Sequence, residues 1–151
     1  MELINEIDSL IQDVSKTIGK PIVVEGYEII DRGLPHKPKS LPIGMMGVYA
    51  FWYNDRFLKI GKAGSKSGPR FLSQHYNPKS AQSTLAASIL RDPDMLQFGI
   101  TEENVGVWIK ENCRRIDILV NVELGIFTLG LIEAVLHYKY EPKYEGFATQ
   151  R

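Results

Sequence analysis

Gly47-Val48-Tyr49 opens an apolar run that reaches Tyr53, and a second run closes on Lys59-Ile60-Gly61. Between the two stands the polar pair Asn54-Asp55. Asn and Asp tolerate the left-handed backbone that a two-residue hairpin turn demands, and the flanking aromatic and β-branched residues favour strands. The segment therefore predicts a β-hairpin with Asn54-Asp55 at its tip, which puts Tyr49 and Lys59 on neighbouring strands.

The rest of the chain reads as an α+β domain around that hairpin. Leu3, Ile4, Ile7, Leu10, Ile11 and Val14 recur at helical spacing, predicting a helix over residues 2–18, stopped by Gly19 and Pro21. Ile22-Val23-Val24 and Tyr27-Glu28-Ile29-Ile30 suggest a strand or hairpin around Gly26. Residues 31–46 hold Pro35, Pro38 and Pro42, so they read as an extended connection. That stretch is the candidate boundary between an N-terminal extension, 1–46, and a core, 47–151. Pro69 suits the first turn of a helix carrying Arg70 and His75 and ended by Asn77-Pro78. Residues 80–91 predict another helix, and Thr101 an N-cap for a third, with Val105, Trp108 and Ile109 on it. Residues 115–122 alternate and are β-branched, hence a third core strand. Residues 124–140 are long and apolar, hence a helix on the sheet, ended by Pro142.

At 151 residues and 44% hydrophobic content the chain can bury a real core. A single cysteine, Cys113, excludes a disulfide framework and a multi-cysteine zinc site, and reads as a semi-buried residue beside Trp108. The first residues lack the basic-then-apolar order of a signal peptide, and no run has membrane-spanning length, so a cytoplasmic protein without a membrane partner is expected. Net charge is zero, but residues 55–79 hold six basic residues and one acid, leaving +5 there and −5 elsewhere. Such a patch can engage phosphates, and it can equally be a solvated loop.

Several side chains carry chemistry. Glu133 is the only charge between Phe127 and Leu136. A buried carboxylate needs a cation, a donor or a metal; the alternative is a place on the helix's solvated edge. Mg²⁺ is often held by one or two carboxylates and keeps its waters. His137, one turn on, can bond Glu133 or lie on the surface. Arg70 suits a bidentate phosphate clamp or a surface ion pair. Lys59 offers a point charge, a proton acceptor, or an edge-strand guard.

Taken in order, Gly47-Val48-Tyr49, Lys59-Ile60-Gly61 with Lys62-Ala63-Gly64, Arg70 with His75-Tyr76, Leu131-Ile132-Glu133-Ala134 and Pro142-Lys143-Tyr144 resemble the GIY-YIG nuclease family, from Gly47 to about Glu145. The Gly61-Lys62-Ala63 stretch is similar to that of its excision-repair members. The resemblance implies a small, largely antiparallel three-stranded sheet flanked by helices. It implies a metal-dependent endonuclease that hydrolyses DNA phosphodiesters with one Mg²⁺ or Mn²⁺. It assigns Tyr49 to water activation, Arg70 to the scissile phosphate, Glu133 to the metal, and His75 or Tyr76 to orienting water or phosphate. Lys59 stands where the family has its second Tyr, and Glu145 where many members have Asn. With the basic patch, Lys62, Lys66, Arg70, Tyr76 and Lys79 are the candidate DNA contacts. Two other readings stay open: a non-catalytic nucleic-acid-binding module of this fold, and a protein-interaction domain with residues 1–46 as its contact surface. Clustering of Tyr49, Lys59, Arg70 and Glu133 around one cleft distinguishes the first two readings from the third.

Overall fold

The computed structural model of the chain describes residues 2–145; the last residues of the expected core, 146–151, lie outside it. Asn54 and Asp55 have positive φ, 51° and 64°, as a primed hairpin turn requires. They join β2 (Met45–Tyr53) to β3 (Arg56–Ala63). With β1 (Tyr27–Gly33) and β4 (Arg114–Asn121) these form one sheet of order β1-β4-β2-β3. Every neighbouring pair is antiparallel. The fold is α+β with four strands, which corrects the expectation of three. The fourth comes from the N-terminal stretch, where Tyr27 through Ile30 pair with Val120 through Asp117.

Helices cover both faces. Ile7 and Ile11 of α1 (Glu2–Ile18) and Leu129, Ile132 and Leu136 of α5 (Ile126–Tyr140) pack on Val48, Ala50, Ile60, Ile116 and Ile118. On the other face α2 (Gly68–Leu72), α3 (Leu85–Leu90) and α4 (Val105–Asn112) bring Phe71, Leu85, Ile89, Val105 and Ile109 against Tyr49, Phe51, Leu58 and Leu119. The central strands β2 and β4 are thus buried on both faces along most of their length. Ile22 and Tyr27 join the first cluster, so the N-terminal stretch shares the hairpin's core.

Several elements differ locally from expectation. Val24–Gly26 form a 3-10 turn instead of a strand, because the Ile22 N–H donates to Ser15 Oγ at 3.1 Å and draws the chain back against α1. The helix after Pro69 breaks at Ser73, whose φ of −134° is not helical, and Gln74–Tyr76 continue as a 3-10 turn. The helix expected over 80–91 starts only at Leu85, with Thr84 accepting from the Ala87 N–H. Thr101 and Asn104 exchange hydrogen bonds just before α4.

A bulge in the hairpin matters most for the site. Phe51 pairs with Lys59 but Trp52 pairs with Phe57, leaving Leu58 as an extra residue. Phe57 and Ile60 both belong to the α1/α5 side, and Leu58 to the opposite side. Regular alternation would turn residue 59 toward α1 and α5; the bulge turns Lys59 the other way. Among the described residues, no helix is long and apolar enough to cross a membrane.

The turn gives a first prediction. Asp55→Val forces a β-branched residue to positive φ and should cost about 1–2 kcal/mol, whereas Asp55→Gly should be neutral or stabilising. Urea titration of both variants checks this.

Candidate functional site

Tyr49 from β2, Lys59 and Lys62 from β3, Arg70 from α2, His75 from the following 3-10 turn, Glu133 from α5 and Glu145 from the C-terminal segment line one polar cleft of about 260 Å³. The glycines of both triplets let side chains approach the sheet closely. The Tyr49 ring lies across Gly61, where an added Cβ would come within 2.6 Å of Cζ. A Cβ on Gly47 would run into the Phe71 ring, 2.8 Å from its Cδ1. Each glycine therefore lets an aromatic ring come closer to the strand than a larger residue would allow.

His75 is 6% exposed and its tautomer is fixed. The Leu85 backbone N–H donates to its Nδ1 at 3.1 Å, so the neutral ring carries its proton on Nε2. That N–H donates to Tyr49 Oη at 2.7 Å, and the tyrosine's own proton points elsewhere. Burial, then the charges of Lys59, Arg115 and Arg70, push the His75 pKa down to about 3. Burial raises the Tyr49 phenol above its ordinary value; Arg70 and Arg115 oppose this, while Glu133 and Glu145 add to it. Burial likewise lowers Lys59, against the pull of Glu145 and Glu133.

Glu133 has the cation partner that a carboxylate on an apolar helix requires. Lys62 Nζ lies 3.5 Å from its Oε1. His137 does not bond Glu133. Its Nε2 is 2.7 Å from the Ile60 carbonyl and therefore carries a hydrogen, and it is 3.3 Å from Glu145 Oε2. With His75 neutral, three cations (Lys59, Lys62, Arg70) face two carboxylates among the described residues that line the cleft. Among the described residues no three Asp, Glu, His or Cys side chains gather as a metal cage.

Three of the candidate residues lie outside the cleft. Tyr76 is buried behind it, accepting from Arg115 Nη1 at 2.9 Å and lying 2.8 Å from His36 Nε2. Lys66 is exposed on the β3–α2 loop. Lys79 is also exposed, 4.0 Å from Glu102. Conversely, Gln74, Ser83 and Thr84 line the cleft unannounced by any motif. The C-terminal segment is seated by main-chain bonds, Lys143 N–H to Phe57 O at 3.0 Å and Tyr144 N–H to Leu58 O at 2.8 Å. Asp92 anchors it further, accepting from the Tyr144 hydroxyl at 2.5 Å and from Lys143 Nζ at 2.8 Å. This is how Glu145 reaches the cleft.

No family model and no curated protein matches the sequence, and no solved structure matches the fold. The buried imidazole gives a direct test of the geometry. Its folded pKa lies below the unfolded value of about 6.5, so the unfolded chain binds the extra proton first as pH falls. His75 should therefore lower stability progressively from about pH 6.5 toward 3, by at most about 1.4 kcal/mol per pH unit. Denaturant titrations over that range, compared with His75→Gln, should show the slope diminished in the variant. Imidazole NMR should show no titration of His75 between about pH 5 and 8.

Proposed function

We propose that this protein is a divalent-metal-dependent endonuclease of the GIY-YIG type that hydrolyses DNA phosphodiester bonds. The observation that carries the reading is convergence. Tyr49, Lys59, Arg70, His75 and Glu133 come from separate strands, turns and helices, and all line one polar cleft. A protein-interaction domain has no need of that arrangement.

The donor set fits a hard cation. Glu133 would hold Mg²⁺ or Mn²⁺, with Glu145 as a second carboxylate in the same cleft. The Glu133–Lys62 pair is partly solvated, with the Lys62 side chain 48% exposed, so a competing cation displaces Lys62 at little cost. The bound ion would supply Lewis-acid stabilisation of charge on the phosphate and the leaving 3′ oxygen.

The chain's own groups do the rest. Arg70 is exposed at the cleft and keeps its charge, and its planar fork matches two phosphate oxygens. Tyr49 accepts the proton of the attacking water. Burial works against the phenolate this needs, and donation from His75 Nε2–H and the charges of Arg70 and Arg115 work for it. Because that nitrogen already carries hydrogen, the phenol proton leaves toward the cleft and not to His75. The water oxygen bonds to phosphorus, the P–O3′ bond breaks, and the leaving oxygen is protonated from solvent. Lys59 and Lys62 add positive charge beside the phosphate.

Glu133→Gln should reduce plasmid cleavage in Mg²⁺ or Mn²⁺ by a factor on the order of a hundred or more while leaving the fold and DNA binding in place. EDTA should abolish the parent's activity. In a salt series on Glu133→Gln, adding Lys62→Ala should make the log–log slope of affinity shallower by about one unit. Arg70→Ala should cost cleavage beyond its effect on binding. Salt-dependent binding without metal-dependent cleavage would assign the cleft to a binding module instead.

A further inference from the structure

Beneath the cleft lies the Arg115 guanidinium, 1% exposed. Its Nη2 donates to the Phe71 carbonyl at 2.6 Å and its Nη1 to the Tyr76 hydroxyl at 2.9 Å. Its Nε donates to Asp117 at 2.7 Å. Phe71 directly follows Arg70, and Tyr76 directly follows His75. One planar ion thus grips both ends of the segment that presents two cleft residues. That segment has little rigidity of its own. α2 is five residues long, and Ser73 leaves the helical region before the 3-10 turn.

The chain of donors continues. His36 Nδ1 lies 2.6 Å from the Cys113 carbonyl, which only accepts, so Nδ1 carries the hydrogen. Nε2 is then the acceptor for the Tyr76 hydroxyl, at 2.8 Å. Hydrogen bonds therefore run one way, from Arg115 through Tyr76 and His36 to the main chain before β4. His36 is 3% exposed and belongs to the stretch that matches no family feature.

We propose that Arg115 is a positioning residue for the cleft, holding Arg70 and His75 in place through the Phe71 carbonyl and Tyr76, and that His36 extends this support into the N-terminal stretch. A lysine cannot replace it, because an ammonium lacks the flat fork that reaches a carbonyl, a hydroxyl and a carboxylate together. The kinetic consequence rests on the nuclease reading; the placement of His75 does not.

The test uses Tyr76→Phe, which keeps the ring and removes the hydroxyl, with Arg115→Lys beside it. Ile7→Val, on the opposite face of the sheet, is the control for lost stability alone. The first readout is the imidazole NMR signal of His75 Nε2–H, which reports the Tyr49 contact without substrate. The second is kcat and KM for DNA cleavage. In Tyr76→Phe the His75 signal should shift and exchange faster, and kcat should fall on the order of tenfold or more with KM within about twofold. Ile7→Val should change neither. His36→Gln, whose amide oxygen can accept the Tyr76 hydroxyl, should stay closer to the parent than His36→Leu. An unchanged His75 signal in Tyr76→Phe overturns the proposal, as does an equal loss in Ile7→Val. If Arg115→Lys does not fold, Tyr76→Phe still decides. If the parent cleaves no DNA, the nuclease reading falls and the His75 signal alone judges the positioning.

Discussion

Asp117 sits at the centre of β4 with its side chain wholly buried, and it accepts from two guanidiniums: Arg115 at 2.7 Å and Arg32 at 2.9 Å. One carboxylate against two cations leaves positive charge inside the protein. The electron-rich faces of Phe71 and Phe51, 4.9 and 5.2 Å from the Arg115 carbon, help to hold it. Removing Asp117 would strand the buried Arg115 guanidinium, at about 3–5 kcal/mol. Arg32 lies on β1, Asp117 on β4, and Arg115 reaches the segment after α2. Edge strand, central strand and cleft wall therefore depend on the same carboxylate.

This explains which parts of the fold were legible in the sequence. The hairpin, the first helix, the strand over 115–122 and the final helix all announce themselves by turn chemistry and periodicity. Their partners do not. Tyr27–Ile30 reads locally as a strand, but its pairing with Val120 through Asp117 is a long-range choice, fixed partly by the Arg32–Asp117 bond. No local pattern encodes that choice, so the count of strands comes out one short. The bulge at Leu58 is similarly silent: an apolar run looks the same with or without an extra residue.

The site was legible to the extent that its residues sit in recognisable triplets. Tyr49, Lys59, Arg70, His75 and Glu133 line one cleft. The choice between His75 and Tyr76 was not readable, because it depends on where the helix breaks. Once Ser73 departs from helical geometry, adjacent side chains diverge, one into the cleft and one into the core. Basic residues separate along the same line. Lys62 is held on a strand at the cleft, while Lys66 and Lys79 lie on the flanking surface, where charge in sequence says little about position.

The seating of Lys143 and Tyr144 along β3 has a consequence for the sheet's margin. β3 is an outermost strand, and an outermost strand offers its unpaired main-chain groups to any passing chain. Here the carbonyls of Phe57 and Leu58 are taken by the protein's own C-terminal segment, and that of Ile60 by His137. The segment that delivers Glu145 thus also denies a foreign strand its docking points, so shortening the chain before Lys143 would open the protein to edge-to-edge self-association.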